Sequence, residues 1–175
     1  MITTKDMYYR KALKLSYSSV KRDKAKAVKF IVIHNTGNKG DSAKNNVDFY
    51  ASWNEDERGA HFFVDQEGLI GRSIPMELTA WSVEGPGKGN MYGIVKNVNS
   101  ISIELCDIVT KDPSDKMVKS VRELIAFIQK YCPEATTLVR HYDVTTKNCP
   151  ARMIDNDKWG AFLNRLGYVL VGVKR

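Results

Sequence analysis

Val28-Lys29-Phe30-Ile31-Val32-Ile33, running into His34-Asn35-Thr36-Gly37, is the stretch that decides the fold. After Lys29 it is apolar on both faces and rich in β-branched residues. That is the pattern of a central strand covered on both sides of a sheet. His34 then stands at the carboxyl end of the strand, where open α/β sheets commonly carry functional groups. What His34 does depends on which other groups the chain brings to that strand end.

Downstream, Asp41 or Ser42 can cap a helix whose apolar residues Ala43, Val47, Tyr50 and Ala51 share one face. Gly59 to Asp65 reads as a second strand, and the turn Gln66-Glu67-Gly68 with Leu69 to Arg72 completes a hairpin. Ile101, Ile103 and Leu105 alternate with Ser102, Glu104 and Cys106, so this strand shows two different faces. Ser114 can cap the strongest helix, with Met117, Val121, Leu124, Ile125, Ile128 and Tyr131 at helical spacing and Pro133 as its stop. Thr137 to Val139 is a short strand that delivers His141, and a helix around Asp157–Leu166 and a strand Tyr168–Val173 close the chain. Upstream, Leu13 to Tyr17 suggests an edge strand. Strands alternating with helices predict a single α/β domain, its central mixed sheet flanked by helices.

Residues 73–99 have no strong period and contain Pro75, Gly85, Pro86, Gly87, Gly89 and Gly93. Gly85 to Asn90 is no phosphate loop, because no strand feeds it and neither Ser nor Thr follows Lys88. It reads as a long binding loop, in which Trp81 and Tyr92 could serve a sugar or a peptide. Simple loop packing explains Trp81 equally well.

The 175 residues fit one domain with a sizeable core. No run of eighteen apolar residues offers a membrane span, and no apolar core follows the basic N-terminus as in a secretory signal. The expectation is synthesis in the cytoplasm, with neither a membrane nor a nucleic-acid partner. Three cysteines without framework spacing point to a reducing compartment. Of the net charge of +7, most sits in residues 1–27, which carry eight Lys or Arg against Asp6 and Asp23. This basic leader, packing on a domain of residues 28–175, suits anionic polymers, or it is a solvated edge that aids solubility.

The chemistry gathers at Arg140-His141-Tyr142-Asp143-Val144-Thr145-Thr146-Lys147-Asn148-Cys149-Pro150. Imidazole nitrogen and thiolate sulfur are the ligands that zinc prefers. His141 and Cys149 are eight residues apart, so a loop must bring them together. The pair alone is also consistent with a buried thiol near a surface histidine, and His34 is the candidate that would complete a metal site.

Three features stand in order: Ile31-Val32-Ile33-His34-Asn35-Thr36, Ser100-Ile101-Ser102-Ile103-Glu104-Leu105, and His141 with Lys147-Asn148-Cys149-Pro150. Together they resemble the type 2 N-acetylmuramoyl-L-alanine amidases, which include phage endolysins and share a fold with peptidoglycan recognition proteins. The resemblance covers residues 28–155. It implies zinc held by His34, His141 and Cys149, Glu104 as general base, and Lys147 as partner of the oxyanion. It also implies peptidoglycan as substrate and an endolysin-type enzyme that reaches the wall after membrane breach. Anionic wall polymers are then the natural partners of the leader.

Two positions depart from the pattern. Some relatives carry a catalytic tyrosine where this chain has Ala60, and many carry a histidine where it has Ser82. The first leaves Glu104 as the only evident base; the second puts a substrate contact in question. Read without the resemblance, Glu104 is a solvent-facing strand residue, His61 a hydrogen-bonded core residue, and Cys106 and Cys132 buried thiols. A non-enzymatic recognition module, keeping the groove without the metal, is the rival reading.

Overall fold

The computed structural model describes residues 2–168, so all but the first residue of the expected strand Tyr168–Val173 lies outside the described residues. In chain order the strands are β1 (Tyr8–Tyr9), β2 (Tyr17–Ser18), β3 (Phe30–Asn35), β4 (Phe62–Val64), β5 (Ile70–Arg72), β6 (Thr79–Ala80), β7 (Ser100–Leu105) and β8 (Thr137–Arg140). The helices are α1 (Lys24–Ala27), α2 (Ala43–Ser52), α3 (Asp115–Tyr131), α4 (His141–Thr145) and α5 (Asn156–Leu166). The main sheet runs β1-β5-β4-β7-β3-β8, and β2 pairs with β6 in a separate ribbon. Strand β3 lies parallel between β7 and β8, and β4 continues the parallel run beside β7. Among the described residues only the β4–β5 hairpin is antiparallel in the main sheet, which makes it mixed. The expected α/β class and central mixed sheet are what the structure shows.

Alternation along the strands divides the sheet into two faces. Ile31, Ile33, Phe62, Val64, Ile101, Ile103 and Leu105 join α3 and α5 in one large apolar cluster. Helix α3 commits its whole inner stripe, from Met117 to Ile128, and each fully buried side chain of that size stabilises the fold by roughly 1.5–3 kcal/mol. Its start is fixed by Ser114, whose hydroxyl accepts a hydrogen bond from the Met117 N–H. Asp155 caps α5 in the same way, accepting from Asp157 and Lys158.

The opposite face is assembled from smaller pieces. Ala43 and Val47 of α2 pack with Ala60, Phe63 and Cys106, while Val32, Val83, Val95, Val139 and Val144 form a separate cluster. Between these two apolar patches the face is left to polar residues of β3 and β7.

The leader is more deeply built in than a surface extension. Met7 enters the main core and β1 extends the main sheet beside β5. The expected edge strand Leu13–Tyr17 is instead a 3-10 turn, Lys14–Ser16, with only Tyr17–Ser18 extended and paired to β6. The Leu13 N–H is claimed by Tyr50 O (2.8 Å) and the Ser16 N–H by Leu13 O (3.0 Å), which leaves no ladder to form. Arg22, counted among the free charges of the leader, is folded inward. Its guanidinium donates to the carbonyl oxygens of Met76, Asn97, Val98 and Ser100, and burial lowers its pKa to about 10.

Residues 73–99 are also more ordered than a plain loop, since they contain β6 and a 3-10 turn at Asn97–Asn99. The glycine-rich part lies flat on α4. A Cβ on Gly87 would sit 1.6 Å from Thr145 O, and one on Gly89 would sit 2.2 Å from Asp143 O. Glycine is required at both places because backbone meets backbone. Among the described residues no helix is long and apolar enough to cross a membrane.

Candidate metal centre

The register of β3 on β7 sets His34 directly opposite Glu104, both on the face turned away from the large core. His141 arrives from the other side. It is the first residue of α4, immediately after β8, which pairs with β3. A buried ion pair at 2.6 Å between Arg140 and Asp143 fixes the strand-to-helix corner. Arg140 also donates to Met153 O and Ile154 O, tying the corner to the segment before α5. After α4 the chain turns at Thr146, which has a left-handed φ of 61°. It then comes back so that Cys149 O accepts from Tyr142 N at 2.7 Å. The Asn35 N–H donates to Cys149 Sγ (3.3 Å), and Asn35 Oδ1 accepts from Ala151 N (2.8 Å), clamping the returning loop onto the end of β3.

The result is convergence of three donor atoms. His34 Nδ1 lies 3.2 Å from His141 Nδ1 and 3.9 Å from Cys149 Sγ. All three ligand atoms fall within 4.8 Å of one another, and all three residues are buried. Glu104 Oε1 is 4.0 Å from His34 Nδ1, and its Oε2 is buried without a hydrogen-bond partner among the described residues. These groups open into a cavity of about 140 Å³, walled by Asn35, Thr36, Tyr50, Arg58, Trp81, Ser82 and Lys147 among others. Lys147 is exposed, at the rim.

Without a cation, burial sets the protonation of the group. It holds His34 well below the ordinary imidazole range and His141 at about 4, with the positive charge of Lys147 acting in the same direction. Both rings are therefore neutral, with a lone pair to offer. Burial, and secondarily the charge of Glu104, pushes the Cys149 thiol up to about 12. Burial also lifts the Glu104 carboxyl to about 8, against the opposing pull of Lys147.

Two neutral imidazoles and one thiol facing each other in a buried site suit a borderline-soft divalent ion. Such an ion would hold the two Nδ1 atoms by their lone pairs and stabilise Cys149 as thiolate. The residues present fit a metal.

His61 stands apart from this group. Ser102 N–H donates to its Nδ1 (3.1 Å), so its Nε2 carries the hydrogen toward Leu78 O (3.1 Å). Burial and the neighbouring Arg22 keep it neutral, with a pKa near 3. Cys106 and Cys132 are buried and free. Two cavity residues escaped the sequence reading. Tyr50 belongs to the apolar stripe of α2 and Arg58 to the charged segment just before the second strand, and no local pattern distinguishes either from core or solvent.

A family model described as N-acetylmuramoyl-L-alanine amidase matches residues 24–152. The chain belongs to this amidase family. It is 31% identical over 160 residues to the N-acetylmuramoyl-L-alanine amidase CwlL of Bacillus licheniformis, covering 86% of this chain and 41% of that protein. It is 32% identical over 164 residues to the amidase BlyA of Bacillus subtilis strain 168, covering 82% and 42%. The chain thus spans about two fifths of the length of the curated relatives it matches. Among solved structures, that of PlyL superposes with a TM-score of 0.67 at 26% identity, covering 91% of this chain and 96% of that one. An AmpD derivative, at 17% identity and a TM-score of 0.61, shares the fold, covering 90% and 94%. The matched segment begins at Lys24, so Arg22 and the β1 and β2 strands lie outside it.

Proposed function

We propose that this amidase-family chain hydrolyses the amide between N-acetylmuramic acid and L-alanine in peptidoglycan, with zinc as its metal. The observation that carries the reading is the convergence of His34 Nδ1, His141 Nδ1 and Cys149 Sγ beside Glu104 in one cavity. Bound by His34, His141 and Cys149, zinc would supply a Lewis acid for the amide carbonyl and lower the pKa of water.

The remaining chemistry belongs to the chain. Glu104 accepts a proton from the attacking water and returns it to the departing amine. Its carboxyl lines the cavity with Oε1 4.0 Å from His34 Nδ1 and Oε2 free of any hydrogen-bond partner among the described residues, so it has a lone pair to offer to a water or an amine there. Lys147, at the rim of the same cavity, offers its ammonium to the carbonyl oxygen as negative charge develops there. Trp81 and Ser82 line the same cavity, and the segment is held by Asn97 Oδ1, which accepts from Ser82 N (3.0 Å) and Val83 N (2.8 Å).

The test is digestion of purified walls. Release of L-alanine amino groups, in step with loss of wall turbidity, is the expected result. Binding to walls with no new amino groups would replace this reading with the recognition module. Within the amidase reading the enzyme acts as an endolysin, made in the cytoplasm and reaching the wall once the membrane is breached. Expression in a bacterial host should then cause lysis only when a membrane-permeabilising agent is added, and lysis without it would contradict that mode of action.

A further inference from the structure

The catalytic cavity does not end at Glu104. It opens into a groove of about 430 Å³ along α2, lined by Asn45, Asn46, Phe49 and Asp41 among others. Four residues line both spaces: Thr36, Tyr50, Arg58 and Glu104. Any substrate that reaches Glu104 and continues along α2 must pass Tyr50.

Tyr50 is held as a rigid part of that passage. Its ring stacks on Phe63 at 5.5 Å and 25°, and meets Phe49 edge-on at 5.2 Å. It packs against two separate buried clusters, one built on Ala60 and Phe63 and one on Tyr17 and Ile74. The Leu13 N–H holds its backbone carbonyl at 2.8 Å. Among the described residues the phenolic hydroxyl has no hydrogen-bond partner, although Tyr8, the other tyrosine packed on this patch, spends its hydroxyl on Asp48. Thr36 Oγ1 and Glu104 Oε2, lining the same junction, are likewise without partners. Buried polar atoms left unpaired are costly, so Thr36 Oγ1 and Glu104 Oε2 at one opening, with the free Tyr50 hydroxyl facing the same space, mark a place where a ligand supplies the missing bonds.

We propose that Tyr50 is a substrate-binding residue whose hydroxyl donates a hydrogen bond to the amine-bearing, peptide side of the substrate. The inference rests on the amidase reading. Glu104 must deliver its proton to the leaving amine, so the peptide lies on the Glu104 side of the scissile bond. That side is the α2 groove. The second opening, of about 520 Å³, is lined by Lys147, His141 and Gly85 to Gly87, without Glu104, and takes the sugar side. Tyr50 stands where the peptide leaves the cavity, with a rigid ring and an unused donor.

The test is equilibrium binding of a soluble N-acetylmuramoyl-L-alanyl dipeptide to zinc-loaded protein, in a Glu104→Gln background to prevent turnover. Tyr50→Phe keeps the ring and its stacking and removes only the hydroxyl. Its affinity for the dipeptide should fall roughly three- to tenfold, the size of one lost hydrogen bond. Affinity for N-acetylmuramic acid alone, zinc content and melting temperature should not change. In the Glu104 wild-type background the same variant should raise KM and leave kcat nearly unaltered. Equal dipeptide affinity, or a loss for the sugar and the dipeptide alike, overturns the proposal. A melting temperature that falls together with affinity assigns the hydroxyl to the fold and overturns it too. The wild-type arm separates the two levels: wild-type protein that cleaves walls while Tyr50→Phe binds normally fails the inference alone, whereas wild-type protein that cleaves nothing fails the amidase reading.

Discussion

The two faces of the main sheet are made by the same strands, yet they solve different problems. Beneath α3 and α5, Ile31, Ile33, Ile101, Ile103 and Leu105 are fully buried and belong to one continuous apolar cluster. One residue along each strand, the other face carries His34, Ser102 and Glu104, and close by lie His61, His141 and Cys149, all buried or nearly so. The first face can be dry because nothing on it needs a partner. The second places titratable groups out of water and so perturbs every one of them. The apolar face holds the scaffold rigid while the polar face stores the chemistry.

The sharpest separation of the two should come from Glu104→Gln. It keeps size and polarity but cannot take up the proton, so amide hydrolysis should fall by ~10²–10⁴-fold while zinc content and melting temperature are retained. Turnover close to wild type in the fully metallated variant would remove Glu104 from the mechanism.

The complementary change is Leu124→Ala on α3, a fully buried side chain on the apolar face. It should destabilise the protein by about 2–5 kcal/mol in urea unfolding, yet leave metal affinity and low-temperature activity unaltered. Loss of metal affinity in this variant would mean that the two faces are not independent.

Acidification should act through the polar face. His61 (near 3), His141 (about 4) and His34 (well below its ordinary value of 6.5) stay neutral when folded but take up protons once unfolded. The unfolded state therefore binds more protons below about pH 6.5, and the stability of the metal-free protein falls as pH drops from there toward 4. Glu104 has the opposite sign. Its folded pKa is raised from 4.5 to about 8, so its contribution is present at low pH and lost as pH rises through that window. Urea midpoints of metal-free protein should rise from pH 5 to 6.5, and Glu104→Gln should abolish the decline between pH 6.5 and 8. A midpoint independent of pH between 5 and 6.5 would contradict neutral buried histidines.

The smallest effect belongs to the leader. Lys21 and Lys26 are exposed, whereas Arg22 is committed to four carbonyl oxygens. Replacing Lys21, Lys24 and Lys26 by Gln should weaken binding to anionic walls at low salt, with the difference vanishing as charges are screened over about 8 Å at physiological ionic strength. Arg22→Ala should instead lower the melting temperature. Equal wall binding at low salt would leave the lysines a role in solubility alone.

The apolar face was largely legible in the sequence, because the alternation of Ile101 to Leu105 and the helical stripe from Met117 to Ile128 are local patterns. The polar face was legible only in part. His34 announced itself by ending a buried strand, but spacing alone left His141 and Cys149 open. Their approach depends on the Arg140–Asp143 corner and on Asn35, a residue more than a hundred positions away in sequence. Arg22 and Tyr50 were unreadable for the same reason. Arg22 sits in a run of charges and Tyr50 in an apolar stripe, and only the folded chain shows that one faces inward to carbonyls and the other into the cavity.

Whether His34, His141 and Cys149 form one metal site is tested most plainly by direct metal titration of the folded protein. Elemental analysis after equilibrium dialysis against zinc should give close to one zinc per chain. Cys149→Ser should lose most of that metal while keeping a folded far-ultraviolet circular dichroism spectrum. A folded wild-type protein that takes up no zinc would contradict the claim, and with it the amidase mechanism built on the site.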